Sequence, residues 1–472
     1  MRATVILSKN RRKRLEQGHP WVYGNEIEKM EGEPTPGDLV AVRDHKGKFL
    51  ATGYWNPESQ IAVRVVSYGE LAAMDRDFFA KRFADCKRHR ERFMDNSRDC
   101  RLVYGEADFL PGLTVDRFEG VLVVQLLTLG MDQRREEITA ALLDVFRPEA
   151  IYERSDVGVR LLEGLKERTG PLYGECPDIV TIAENGIQIE VDVKGGQKTG
   201  YFYDQRENRA SIAPLMKGWG GRSGITLQER SADELPEELR VALGAAEGGT
   251  VKVPVNPNGK LVTFPYWDGA TVLECFAHTG SFTLHACKYG AKQVTCLDVS
   301  EHAIETAKRN VARNGYTDRV EFVVADAFDY LRSQARGVDE RVERAQGGAG
   351  GRKVDTSKPL SAQGRTWDVV ILDPPAFAKT KSAVAGACRG YKDINLQGMK
   401  LVNEGGYLVT ASCSYHMKPE LFLETIQEAA ADAGKLLRLI EWRAAGKDHP
   451  QLLGVPEGHY LKFAVFEVRS KA

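Results

Sequence analysis

The chain has 472 residues, and its 65 Lys and Arg against 66 Asp and Glu give a formal net charge of −1. That length predicts roughly three folding units of about 150 residues. The balanced charge excludes a uniformly cationic nucleic-acid binder, so any basic surface must be local, as in NRRKR at Asn10 to Arg14. Eight cysteines without CxxC or paired spacing argue against a disulfide framework and a zinc site, and they fit a reducing cytosol. The start MRATVILSKNRRKR lacks a signal-peptide core, and no apolar run reaches membrane-spanning length. The expectation is a cytoplasmic protein that uses neither membrane nor metal.

Residues 1–70 read as short strands, GDLVAVRD, GKFLATGYW and QIAVRVVS, separated by PTPGD, HKGK and NPES. Alternation broken by Gly, Pro and Asn predicts a small β-rich module. From Met74 to Met94, DFFAKRFADCKRHRERFM places apolar residues at helical spacing with charges opposite. Residues 75–195 then mix strands around a Pro-Gly turn with the helix EEITAALLDVF, which predicts an α+β domain. The rest, 196–472, alternates strand and helix: ATVLECF, QVTCLDV, VEFVVAD, WDVVILD and GYLVTAS are near-continuous apolar runs, spaced by helices such as HAIETAKRNVARNG and ELFLETIQEAAADAG. That rhythm predicts an α/β doubly wound, Rossmann-like parallel sheet. Two stretches interrupt it. Residues 217–266 contain a hairpin candidate, VKVPVNPNGKLVTF, and residues 333–366 are polar, Gly-rich and charged, as expected of a mobile surface insert.

The first of these strands ends in ECFAHTGSF. A dinucleotide site would show G-x-G-x-x-G there, because backbone must approach a pyrophosphate. Instead there is one glycine, Gly280, with an acid at Glu274. The second strand ends at Asp298, placed for ribose hydroxyls, and the third at Asp326 with the flat ring of Phe328 nearby. Each acid alone could be a helix cap. Their order suits a nucleoside without phosphates that carries a cation, which is S-adenosyl-L-methionine.

The fourth strand runs into Asp373, Pro374, Pro375 and Phe377. Two prolines stop the ladder and stiffen the backbone, which leaves carbonyls and a carboxylate for a polar edge and a ring for stacking on a base. The fifth strand ends in SCS at Cys413. A cysteine there is either packing or a nucleophile. As a thiolate it could add to C6 of a pyrimidine and activate C5 for methylation, with Asp373 supporting the base edge or relaying a proton. The neighbouring serines favour a polar, functional site. Cys388, in GACRGYKDINLQG, reads as helix packing or loop support.

With these motifs the chain resembles the class I S-adenosylmethionine-dependent methyltransferases of the large-subunit ribosomal RNA cytosine-5 type, the RlmI family. LSKNRRKRLEQGHPWVYGNEI and GYWNPESQIAVRVVS look like that family's RNA-binding PUA domain, and the middle segment looks like its EEHEE-type domain. DPPAF, ACRGYKDIN, SCS, KDHP and PEGHYLKF also match. QKTGYFYDQRENR, Gln197 to Arg209, is similar to the segment that closes over the cofactor, which implies Lys198, Thr199, Gly200 and Phe202 as binding residues. The resemblance implies ribosomal RNA as partner and 5-methylcytosine as product, with the oligomeric state open and a homodimer among the options. Two rival readings are an RNA nitrogen methyltransferase, for example at guanine N7, and a non-catalytic RNA-binding assembly factor.

Overall fold

The structure is a computed structural model that describes residues 3–220, 224–243, 245–262, 268–345 and 364–471. Two compact units emerge: the chain up to Arg206 together with Ala445–His459, and Glu207–Ala444 together with the chain from Tyr460 onward.

The first unit opens on six strands, β1 (Thr4–Leu7), β2 (Trp21–Val22), β3 (Ile27–Glu31), β4 (Leu39–Arg43), β5 (Phe49–Trp55) and β6 (Val63–Ser67), in the order β2-β6-β5-β4-β1-β3. Alternation turns Val5, Leu7, Val40 and Val42 into one small core with Ala51, Val63 and Val65. Helix α1 (Arg76–Phe93) starts at Asp75, whose carboxylate accepts the Phe78 N–H, and it buries Phe79, Phe83, Cys86 and Arg90 at helical spacing. Next come β7 (Asp99–Tyr104), β8 (Leu113–Phe118), β9 (Val121–Leu126), α2 (Leu129–Asp132), α3 (Arg135–Phe146), β10 (Ala150–Ser155) and β11 (Arg168–Tyr173). These strands form a sheet in the order β11-β10-β9-β8-β7. A hairpin, β12 (Ile179–Glu184) with β13 (Ile187–Asp192), turns at Asn185 and Gly186, both at positive φ as a tight two-residue turn demands.

Helix α4 (Arg206–Ser211) carries the chain into the second unit, followed by β14 (Thr226–Ser231), α5 (Glu237–Ala242) and β15 (Thr250–Val255). Then strand and helix alternate: β16 (Thr271–Cys275), α6 (Ser281–Lys288), β17 (Gln293–Asp298), α7 (Glu301–Arg313), β18 (Val320–Val324), α8 (Ala327–Ala345), β19 (Trp367–Leu372), α9 (Val384–Lys400), β20 (Val402–Ser412), α10 (Pro419–Asp432), β21 (Lys435–Arg443) and β22 (Lys462–Ser470). The sheet order is β18-β17-β16-β19-β20-β22-β21. Its first five strands are parallel, whereas β22 runs antiparallel to β20 and to β21. Both faces are covered. Leu273, Val370, Leu372 and Leu408 pack beneath α8, α9 and α10, while Val272, Val369, Ile371 and Val409 meet Phe282 and Ala286 of α6 on the other side. The winding direction reverses between β16 and β19, and ligands of open α/β sheets bind beyond the strand ends at such a reversal.

The first insert forms the expected Asn256 to Lys260 turn, and the Val255 to Leu261 bridge continues the hairpin as far as Val262; residues 263–267 of that expectation lie outside the described residues, and β15 also pairs along β14. In the second insert, residues 333–345 extend α8 rather than forming a mobile loop, because this stretch still presents apolar residues at helical spacing, with Ala335 buried, and Asp339 pairs with Lys400 at 2.8 Å. Residues 346–363 of that expectation lie outside the described residues.

Candidate active site

The parallel strands end level with one another. Cys275 pairs with Leu297 and with Leu372, and Asp298 pairs with Val324, so residues just beyond these positions share one edge of the sheet.

On the β16 to β18 side, the loop from Phe276 to Gly280 is bent sharply. Phe276, His278 and Gly280 have φ of 63, 49 and 78°, and a Cβ on Gly280 would approach Ala307 Cβ to 3.0 Å. Asp298 holds this bend: Oδ2 accepts the His278 N–H at 2.8 Å, and Oδ1 accepts the Ser300 N–H at 2.9 Å. Helix α7 is capped by the Ser300 hydroxyl, which accepts the Ala303 N–H, so the cap does not consume Asp298. A carboxylate has about four acceptor positions, and half-buried Asp298 therefore keeps capacity for a diol. Burial lowers the His278 pKa, which Asp298 opposes. In the same loop Thr279 Oγ1 is buried without a hydrogen-bond partner.

Glu274 behaves differently. It is 2% exposed, and its Oε2 accepts both the Thr283 N–H, at 2.7 Å, and the Thr283 hydroxyl, which pins α6 to β16. Burial pushes its pKa up to about 8 against those hydrogen bonds, with the nearby Asp373 carboxylate adding to the rise. Its link to a ligand therefore runs through the loop it anchors. Exposed Asp326 caps α8 by accepting the Asp329 N–H at 3.1 Å. Phe328 lies between Phe276, at 6.3 Å, and Phe377, at 5.8 Å.

On the β19 to β20 side, Pro375 is exposed and Pro374 is buried, with the Pro374 carbonyl accepting from Cys413 Sγ at 3.8 Å. That carbonyl is thus engaged within the protein. Cys413 itself is only partly buried. The next residue, Ser414, is locked: its hydroxyl accepts the Ala378 N–H at 3.1 Å and bonds the Tyr391 hydroxyl at 3.1 Å, and its carbonyl accepts from Lys462 Nζ at 2.6 Å. Phe377 packs 4.7 Å from Tyr391, and Gly390 leaves room for it, since a Cβ there would come to 3.2 Å of the ring. Cys388 lies half-buried in α9 against the large core. Thr279, Ser414, Tyr391 and Lys462 carry no sequence signal of their own beyond motif membership.

Lys198, Thr199, Gly200 and Phe202 belong to the first unit. There the Thr199 hydroxyl donates to buried Asp116 at 2.5 Å, and Gly200 adopts φ 117° where a Cβ would come to 2.7 Å of the Asp192 carbonyl. Exposed Lys198, at φ 54°, places Nζ 4.8 Å from the Phe202 ring.

The residues fit S-adenosylmethionine: a fixed acid stands ready for the ribose diol, an orphaned hydroxyl and a crowded glycine shape the loop, and the pyrophosphate-binding glycine pattern is absent. With the 3-2-1-4-5 parallel order, the antiparallel β22 beyond it and β21 at the edge, fold and site define a class I S-adenosylmethionine-dependent methyltransferase. Comparison with known proteins agrees. A PUA-like domain matches residues 5–68, and a methyltransferase domain matches residues 272–339. The chain is 38% identical to ribosomal RNA large subunit methyltransferase I of Pseudoalteromonas translucida (strain TAC 125), covering 99% of this chain and 100% of the relative. It is also 38% identical to the protein of that name from Tolumonas auensis, covering 98% of each. Among solved structures, a candidate SAM-dependent methyltransferase from Streptococcus mutans shares the fold at TM-score 0.68 and 19% identity, covering 99% of this chain and 100% of its own. The chain belongs to the ribosomal RNA large subunit methyltransferase I family.

Proposed function

We propose that this enzyme forms 5-methylcytosine in large-subunit ribosomal RNA through a covalent bond between Cys413 Sγ and C6 of the base. The observation that carries this reading is the partly exposed thiol at the end of β20, against the Pro374 carbonyl of the DPPAF segment. A ring carbon is a poor nucleophile until electron density is pushed onto it. Addition of the thiolate to C6 makes C5 nucleophilic, and C5 takes the methyl carbon as its bond to the sulfonium sulfur breaks. Loss of the C5 proton to a base and departure of Sγ restore the C5–C6 double bond and the thiolate. Asp373, directly after β19, is the carboxylate for the base edge or the proton, and Phe377 and Phe328 are the rings on that side.

The ribosomal RNA assignment is supported by the names of the full-length relatives and by the PUA-like match. Basic residues Arg11 to Arg14 beside the first sheet suit phosphate contacts, the salt-sensitive part of RNA binding. In this reading Lys198, Thr199, Gly200 and Phe202 are cofactor-binding residues, as the resemblance of the Gln197 to Arg209 segment implies. Its place of action is the cytoplasm.

The test is nucleoside mass spectrometry. Large-subunit RNA from cells lacking the enzyme is incubated with purified protein and S-adenosylmethionine, then digested. The expected product is 5-methylcytidine, formed by wild type and not by Cys413→Ala. An N-methylated nucleoside, or full activity of Cys413→Ala, would overturn the assignment in favour of nitrogen methylation.

A further inference from the structure

We propose that Lys462 is a positioning residue for Cys413: from β22 its buried ammonium clamps the backbone after β20 and supplies the positive charge that favours the thiolate. The inference rests on the reading of Cys413 as the nucleophile.

Lys462 is the first residue of β22, and the antiparallel ladder sets it directly opposite Ser412, the residue before Cys413. Its side chain is 2% exposed, rare for a lysine. Nζ donates to the Ser414 carbonyl at 2.6 Å and to the Tyr460 carbonyl at 2.7 Å. Thus the ammonium ties together the residue that follows Cys413 and the segment that enters β22. An ammonium has three donors. Two carbonyls are dipoles without a net charge, so the cation lacks a full counter-charge from these partners.

The charged and titratable groups facing it come from several elements. Cys413, at the end of β20, raises the Lys462 pKa by attraction, and Lys418, just before α10, lowers it by repulsion. Burial dominates both and draws the pKa down to about 8, so the ammonium form prevails at neutral pH. Tyr391 of α9 reaches the same turn through Ser414, and burial raises the pKa of its phenol, with Cys413 adding to the rise. Asp373, after β19, is the carboxylate on the adjacent strand end. Within this group the arrangement is reciprocal: a cation stabilised by a neighbouring thiolate stabilises that thiolate by the same amount.

The antiparallel β22, inserted between β20 and β21, brings a side chain from far along the chain back to the end of β20.

The test reads the thiol rather than methylation, so it stands apart from the proposed reaction. Purified enzyme without cofactor is alkylated with iodoacetamide from neutral to alkaline pH, and the Cys413 peptide is quantified by mass spectrometry separately from that of Cys388. In Lys462→Met the midpoint of Cys413 alkylation should rise by roughly 1 to 3 pH units, the range expected on losing an adjacent opposite charge. Lys462→Arg, which keeps the charge, should stay close to wild type, and it provides the readout if the methionine variant does not fold. An unchanged midpoint in Lys462→Met, or an arginine variant displaced upward as a neutral one would be, overturns the inference. If Cys413→Ala proved active while the midpoint shifted as expected, the reaction assignment would fail and the electrostatic one would stand.

Discussion

Two cysteines end strands of the same sheet, Cys275 on β16 and just-past-the-end Cys413 on β20, and their surroundings differ in every respect that governs thiol chemistry. Cys275 is fully buried, and burial together with the Glu274 carboxylate pushes its thiol pKa well up. Cys413 is partly exposed, and the serine after it is locked by three partners, one of them the buried Lys462 ammonium. The strand end alone therefore does not make a nucleophile. Solvent access and neighbouring charge govern how reactive a thiol is.

The sharpest way to break the contrast is to exchange each thiol for a methyl group. Cys413→Ala should lose turnover by on the order of 10³-fold or more while still binding S-adenosylmethionine, because a removed nucleophile has no substitute in the site. Cys275→Ala should keep turnover and cost about 1 kcal/mol of stability as a packing loss. Initial-rate assays with calorimetric binding of the cofactor check both, and comparable activity losses in the two would erase the distinction.

The cofactor side is tested next. Asp298→Ala should weaken S-adenosylmethionine binding roughly 10- to 100-fold, the worth of a charge-assisted hydrogen bond of about 1.5 to 3 kcal/mol. Titration calorimetry measures this directly, and unchanged affinity would remove Asp298 from the ribose.

Glu274 provides a pH signature on the Cys275 side alone. Its pKa in the folded chain, about 8, lies above the ordinary carboxylate value. The unfolded chain therefore releases this proton at lower pH, and the stability contributed by the group, fully present below about 4.5, falls as pH rises toward 8. Glu274→Gln keeps an acceptor for the Thr283 N–H and cannot ionise. The melting-temperature difference between variant and wild type should move in the variant's favour as pH rises through that window, and a pH-independent difference would contradict the assignment. The smallest effect is expected at Ser300→Ala, about 1 kcal/mol for a lost N-cap, read as a melting shift with cofactor affinity retained. That result would separate the capping serine from Asp298 beside it, the residue expected at the ribose.

Much of this edge was legible in the sequence, because acids and Cys413 sit at the ends of apolar runs and the sheet rule places strand ends together. The runs ending at Cys275, Asp298, Val324, Leu372 and Ser412 are the five parallel strands observed. Pattern reading distinguishes less well between an acid that faces a ligand and one that faces the protein. Asp298, Asp326 and Glu274 look alike in sequence, yet one braces a loop from a half-open position, one caps a helix, and one is sealed against Thr283. Residues 333–345 read as insert because charges dominate the stretch, although its spacing is still helical. Lys462 was matched only as part of PEGHYLKF. Its meeting with Ser414 depends on antiparallel pairing between distant segments, which no local period encodes. Thr199 shows the same limit, since its hydroxyl is spent on Asp116.

A covalent step at one sulfur is open to trapping. Large-subunit RNA containing 5-fluorocytidine is incubated with enzyme and S-adenosylmethionine, and the protein is digested and mapped by mass spectrometry. Fluorine cannot leave C5 as a cation, so the intermediate cannot resolve. A stable RNA–protein adduct on the Cys413 peptide is expected with wild type, and none with Cys413→Ala. Methylated product without any adduct, or an adduct on Cys388, would contradict it.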